Sequence, residues 1–77
     1  MKQLTVLAFA HAREAFGFSI RTVDFDPMET PRGLLLRLQP AADLHHLAVA
    51  VDNEYSSWDE PIGPARELAL IPPVSGG

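Results

Sequence analysis

The chain has 77 residues, 47% of them apolar, with six Lys or Arg against ten Asp or Glu, a formal net charge of −4 and no cysteine. Such a chain holds one core and no more; it is too apolar and too weakly charged to be disordered, and it can form neither a disulfide nor a thiolate metal site. No apolar run is long enough to span a bilayer, the N-terminus lacks the sustained apolar region of a secretory signal, and the negative balance argues against a nucleic-acid backbone as partner.

The chain opens with Lys2-Gln3-Leu4-Thr5-Val6-Leu7-Ala8-Phe9. Leu4, Val6 and Ala8 share one face of a strand, and Thr5, Leu7 and Phe9 share the other. Two largely apolar faces suit a central strand. His11 to Phe16 reads as a short helix closed by Gly17, which tolerates the left-handed conformation of a C-cap. Ser19 to Phe25 is rich in β-branched residues and predicts a second strand, broken by Asp26-Pro27. Thr30-Pro31 predicts the start of the main helix, with Thr30 as N-cap and Pro31 in the first helical position. Leu34, Leu35 and Leu38 form its apolar stripe, and Pro40 ends it. Leu47 to Val51 is a third strand, followed by a turn at Asp52-Asn53-Glu54. Residues 55–66 read as irregular, anchored by Trp58 and broken by Pro61 and Pro64. Leu68 to Ile71 is the last strand, stopped by Pro72-Pro73. One main helix and a small mixed sheet make an α+β fold. A parallel pairing of the first and last strands at the sheet's centre would account for their apolar character.

Charge is unevenly placed. Residues 1–38 carry five bases and four acids, whereas residues 39–77 carry Arg66 alone against six acids. Four acids and no base fall between Asp52 and Glu60, and no charged side chain follows Glu67. The acidic block has two readings: a solvated loop, or a steering surface for a basic partner.

Pro72-Pro73-Val74-Ser75-Gly76-Gly77 has no means of joining a packed core. The prolines favour an extended backbone, and the glycines have no side chain to anchor. Six extended residues reach roughly 20 Å. The sequence therefore divides into a domain over 1–71 and a flexible extended tail over 72–77 that ends on a bare carboxylate. A frayed terminus is the plainer reading of such a composition.

Three segments say more. Phe9-Ala10-His11-Ala12-Arg13-Glu14-Ala15-Phe16-Gly17, Thr30 with Leu34, Leu35 and Leu38, and Glu67-Leu68-Ala69-Leu70-Ile71-Pro72-Pro73-Val74-Ser75-Gly76-Gly77 together span the chain. In these the chain resembles the small, sulfur-carrying subunit of molybdopterin synthase, a ubiquitin-like β-grasp family. The closing Pro-Pro-Val-Ser-Gly-Gly is the most specific of the three. Gly63-Pro64-Ala65-Arg66 stands where the family often has an Asp-Gly-Asp turn, and Pro31 replaces an apolar residue. Both departures touch turns and packing.

The resemblance implies a β-grasp fold and a chain that is not an enzyme alone. It implies that the Gly77 carboxylate is adenylated by an adenylyltransferase of the ubiquitin-activating type. A sulfur donor system would then convert it to a thiocarboxylate. The large subunit of molybdopterin synthase would take that sulfur into a pyranopterin. AMP and sulfur would be covalent intermediates, with no bound cofactor and no metal. Pro73, Val74, Ser75 and Gly76 would form the stretch that enters the partner's active site. There a Cβ at Gly76 would clash, and a charge would be costly to bury. Arg13, Phe16, Trp58, Asp59 and Glu60 are candidate partner contacts, and a cytoplasmic setting is expected. A carrier for another product, such as thiamine or cysteine, or a ubiquitin-like modifier joined to lysines, would use the same activation chemistry.

Other signals carry less. His45-His46 would point to opposite faces of a strand, a poor geometry for one metal. Asp52-Asn53-Glu54 lacks the glycine and distant glutamate of a calcium loop. Ser56, Ser57 and Ser75 have no nucleophile-elbow context. Phe9, Phe16, Phe18 and Trp58 are more aromatics than so small a core must hide, so one or two are candidates for a docking patch, with Phe9 expected in the core.

Overall fold

The computed structural model describes residues 2–72. Seven elements follow in order: β1 Lys2–Ala8, α1 His11–Phe16, β2 Ile20–Phe25, α2 Pro31–Leu38, β3 Ala48–Val51, β4 Glu54–Ser56 and β5 Glu67–Ile71. The five strands form one sheet in the order β2-β1-β5-β3-β4. The first and last strands pair in parallel, from Thr5 with Glu67 to Ala8 with Leu70. The other pairings are antiparallel. The chain's last strand thus lies at the centre of the sheet.

Alternation along the strands builds the core on one face. Leu4, Val6 and Ala8 of β1, Val23 and Phe25 of β2, Val49 of β3 and Leu68 and Leu70 of β5 are buried together. Leu34 and Leu35 of α2 are fully buried against them, and Leu38 packs at the margin. Ala12 and Phe16 of α1 join the same cluster. Both helices therefore bury their apolar residues in the core of one sheet face.

The helix ends follow from their residues. The Gly33 N–H donates to Thr30 Oγ1 at 3.0 Å, so Thr30 satisfies one of the free N–H groups of the first turn. Pro31 loses nothing there, because its nitrogen would have been unpaired in any case. α1 closes at Gly17, which sits at φ 79° and donates its N–H to the Arg13 carbonyl.

Three expectations are corrected. Residues 54–56 are not turn and loop but a fourth antiparallel strand, β4, at the sheet's edge. A strand of three residues is too short to show an alternating pattern. The turn itself contracts to Asp52 and Asn53, at φ 49° and 70°, a two-residue hairpin connection whose positive φ values match the strand twist. Phe9 is not core: it falls just beyond β1 on the face away from the helices and is 49% exposed. His45 and His46 do not lie on a strand. They precede β3 in a turn, with rings edge to face and centroids 4.7 Å apart.

Candidate functional site

The residues expected to do chemistry, Gly77 with Pro73, Val74, Ser75 and Gly76, lie outside the described residues. What the fold fixes is the base from which they depart. β5 ends at Ile71 and the chain continues into Pro72. Because β5 runs parallel to β1, it ends beside Ala8 and Phe9, and the Phe9 N–H donates to the Leu70 carbonyl. The Phe9 end of β1 on one side and the start of β3, where Ala48 pairs with Ile71, on the other thus flank the tail's point of exit.

The sheet face opposite the core is the second feature. Register places Ile20, Leu7, Ala69, Ala50 and Tyr55 in one row across all five strands. Ile71 and Ala48 pair in the next position toward the tail, and Phe9, just past the end of β1, continues the ladder through its N–H to the Leu70 carbonyl. Ile20 is 63% exposed and Tyr55 77%. The opposite end of this face is polar, with Thr22 opposite Thr5 and Thr5 opposite Glu67. The face is graded: polar where β5 begins, apolar where the chain leaves it. Leu7 and Ala69 are half-buried and Ala50 beside them is buried, so the exposed apolar groups here are Phe9, Ile20 and Tyr55, of a kind that suits contact with another protein.

The backbone beside this exit is strained. Ala10 sits at φ 49° and ψ −119°, a conformation that favours glycine. The Ala12 N–H bonds back to the Phe9 carbonyl, closing a tight turn. This turn carries the chain off the outer face into α1 and leaves the Phe9 ring at the rim.

The candidate contacts separate on inspection. Arg13 and Glu14 are exposed on α1. Phe16 is 7% exposed and packs edge to face with Phe18, so it belongs to the core rather than to a docking surface. The short helix that sequence alone left unoriented turns this side chain inward. Trp58 is half-buried against the core, and its indole N–H donates to the Leu47 carbonyl at 3.1 Å, which is the anchoring role expected of it. Asp59 is held by Arg32 at 2.8 Å, and Glu60 is exposed. The hydrogen bond from Arg32 holds the Asp59 carboxyl below its usual range, and its partner Arg32 is raised by the same contact.

The acidic block is thereby half occupied in the fold. Asp52 Oδ1 accepts from the backbone N–H groups of Arg66 and Glu67, both at 3.0 Å. The Asp52 N–H in turn donates to the Glu67 carbonyl. This latch ties the β3–β4 hairpin to the start of β5, where the chain has Gly63-Pro64-Ala65-Arg66 before the strand. Asp52 and Asp59 serve structure, and Glu54 and Glu60 remain as exposed acids. Sequence reasoning missed the apolar row because it exists only across strands. The signal available in one dimension was the double-faced apolar pattern of the first and last strands.

The family model for ThiS matches residues 6–77. The chain belongs to the ThiS family. Its fold is similar to that of SAMP1 from Haloferax volcanii, at 29% identity and a TM-score of 0.73, covering 99% of this chain and 100% of that one. It is also similar to a protein described as molybdopterin converting factor, subunit 1, from Pyrococcus furiosus, at 21% identity and 0.74, covering 96% and 100%. The small archaeal modifier protein 1 from Methanosarcina acetivorans matches at 20% identity and 0.64, covering 100% and 98%. This ThiS-family chain is a small ubiquitin-like protein of β-grasp fold, of the sulfur-carrier or small-modifier type. None of the described helices is long and apolar enough to cross a membrane.

Proposed function

We propose that this ThiS-family chain is a sulfur carrier for molybdopterin synthesis, with Gly77 as the reacting residue. The observation that carries the reading is the continuity of the central strand with the uncharged Pro-Pro-Val-Ser-Gly-Gly stretch, flanked by an open apolar sheet face. A strand held on both sides gives a rigid base. Six uncharged residues then reach roughly 20 Å into another protein's site at small desolvation cost.

The Gly77 carboxylate attacks the α-phosphorus of ATP in a ubiquitin-activating-type adenylyltransferase, and pyrophosphate leaves. Sulfide-level sulfur (HS⁻) from a donor system then attacks the carbonyl carbon; the C–S bond forms as the anhydride C–O bond breaks, AMP leaves with the bonding electron pair, and the thioacid gives its proton to water. The thiocarboxylate sulfur then bonds to a carbon of a pyranopterin held by a large synthase subunit, in a cytoplasmic setting, displacing an oxygen group there, and water cleaves the acyl C–S bond so that the sulfur stays on the pterin and Gly77 returns to a carboxylate. The chain supplies the terminus and the docking face, and its partners supply the catalytic groups. The apolar end of the outer face, with Phe9, Ile20 and Tyr55, is where an enzyme that takes in Gly77 meets the domain.

Intact-protein mass spectrometry tests this after incubation with the adenylating enzyme, ATP and a sulfur source. Exchange of one oxygen for sulfur at Gly77 is expected, and its absence refutes the reading. A second reading, a modifier joined to lysines, is favoured by the 29% identity to SAMP1. Carriage of sulfur into thiamine or cysteine is a third. Isopeptide-linked species on denaturing gels select the modifier, and co-purification of a pterin-binding subunit selects the molybdopterin carrier.

A further inference from the structure

The sheet has two edges, and they are unequal. β4 is three residues long, whereas β2 runs for six, Ile20–Phe25, and pairs with β1 alone. A strand edge presents unpaired N–H and C=O groups to any other strand. Register decides which groups these are. The Ala8 N–H donates to the Ser19 carbonyl at 2.9 Å, and Leu7 lies opposite Ile20 in the next position. Bonded and non-bonded pairs alternate along an antiparallel ladder. Arg21, Val23 and Phe25 therefore turn their backbone groups to β1. Ile20, Thr22 and Asp24 turn theirs outward, and all three residues are exposed.

One outward group is already taken. Arg37 of α2 donates from Nη2 to the Asp24 carbonyl at 2.9 Å. Glu29 grips the same guanidinium, with Nε to Oε2 at 3.1 Å and Nη2 to Oε1 at 3.0 Å. Glu29 is fixed in turn, because its Oε1 accepts the Asp26 N–H at 2.9 Å. A long side chain thus reaches from the helix to the strand's edge and is held there by a carboxylate. Among the described residues, the outward groups of Ile20 and Thr22 have no such cover.

We propose that the free edge of β2 is a docking surface for a second copy of this chain, and that the Arg37–Glu29 clamp keeps it closed. The occupant follows from symmetry. The outward residues are centred on Thr22, so an antiparallel copy about a two-fold axis there sets Thr22 against Thr22 and Ile20 against Asp24. Each pair exchanges both of its backbone bonds. This register keeps the core faces of the two copies on the same side. Arg21 falls opposite Val23, so no like charges stand directly opposed. No proline or lysine interrupts β2. With Arg37 in place, the second strand reaches the Asp24 carbonyl only by displacing a guanidinium, and symmetry requires this in both copies. Each displaced charge-assisted bond weakens association roughly tenfold, so the clamp opposes the dimer by about a hundredfold. Nothing in this depends on the reading of Gly77.

Sedimentation of the full chain over a concentration series tests the proposal, with amide exchange followed on the same samples. Arg37→Ala is expected to dimerise about a hundredfold more tightly than the wild type, with protection at the Ile20 and Thr22 amides that grows with concentration. Thr22→Pro removes an outward N–H and no bond to β1, a position where an edge strand accepts proline. Added to Arg37→Ala, it should abolish the dimer. If the alanine variant unfolds, Arg37→Met keeps the apolar stem, loses the donors and carries the same expectation. A folded Arg37 variant that associates no better than the wild type overturns the clamp. A dimer that survives Thr22→Pro, or that leaves the Ile20 and Thr22 amides unprotected, overturns the β2 edge as the docking surface.

Discussion

Replacing Asp52 by alanine tests whether the acidic block serves the fold before it serves any partner. Asp52 Oδ1 accepts two backbone N–H groups, from Arg66 and Glu67, each at 3.0 Å. The residue is exposed, so water can replace part of what is lost, and each bond contributes about 0.5–1 kcal/mol net. Asp52 also sits at φ 49°, a conformation that aspartate tolerates better than alanine, by about 0.5 kcal/mol. Asp52→Ala is therefore expected to cost about 2 kcal/mol. Asp52→Asn keeps an oxygen acceptor and the tolerance of positive φ, and should cost less than about 1 kcal/mol. For a domain of this size, 1 kcal/mol moves Tm by roughly 4–8 °C. Urea unfolding and thermal melts measure both variants, and amide exchange at Arg66 and Glu67 reports the latch directly. An alanine variant as stable as wild type, or an asparagine variant that falls as far as alanine, refutes the latch.

Further outcomes follow from the same structure. The hydrogen bond from Arg37 lowers the Glu29 pKa, opposed by partial burial. A lowered folded pKa adds stability above the ordinary glutamate value, and that stability is lost as pH falls through the lowered one. Acid titration of stability should therefore flatten below about pH 4.3 in Glu29→Gln. Phe16→Ala should cost about 3 kcal/mol because it empties a core position. Phe9→Ala should cost about 1 kcal/mol or less in urea unfolding, yet weaken docking to the adenylating enzyme in calorimetry. Gly17→Ala should lose about 1 kcal/mol from its φ of 79° alone, since no atom lies within 4 Å of an added Cβ.

Much of the fold was legible one element at a time. The β1 alternation, the Thr30-Pro31 start, the Leu34–Leu35–Leu38 stripe and the Gly17 stop are local signals, and each emerged within a residue or two of its expected place. Composition also placed the last charged side chain before the last strand's end. β4 was hidden because three residues carry no period, although Asp52-Asn53 already signalled a hairpin.

What one dimension left open was decided by pairing. Phe9 and Phe16 are the same residue type seven positions apart on one motif, yet one lies at the rim of the outer face and the other in the core. A turn at Ala10 separates them, and no periodicity crosses a turn. The apolar row from Ile20 to Tyr55 draws one residue from each of five strands, so beyond the double-faced pattern of the first and last strands it has no signature in one dimension. The opening charge count behaves likewise. The sequence determined that acid gathers between residues 52 and 60 and that none follows Glu67. Only the tertiary structure decided that Asp52 is spent on two backbone N–H groups and Asp59 on Arg32, because those partners lie fourteen, fifteen and twenty-seven residues away.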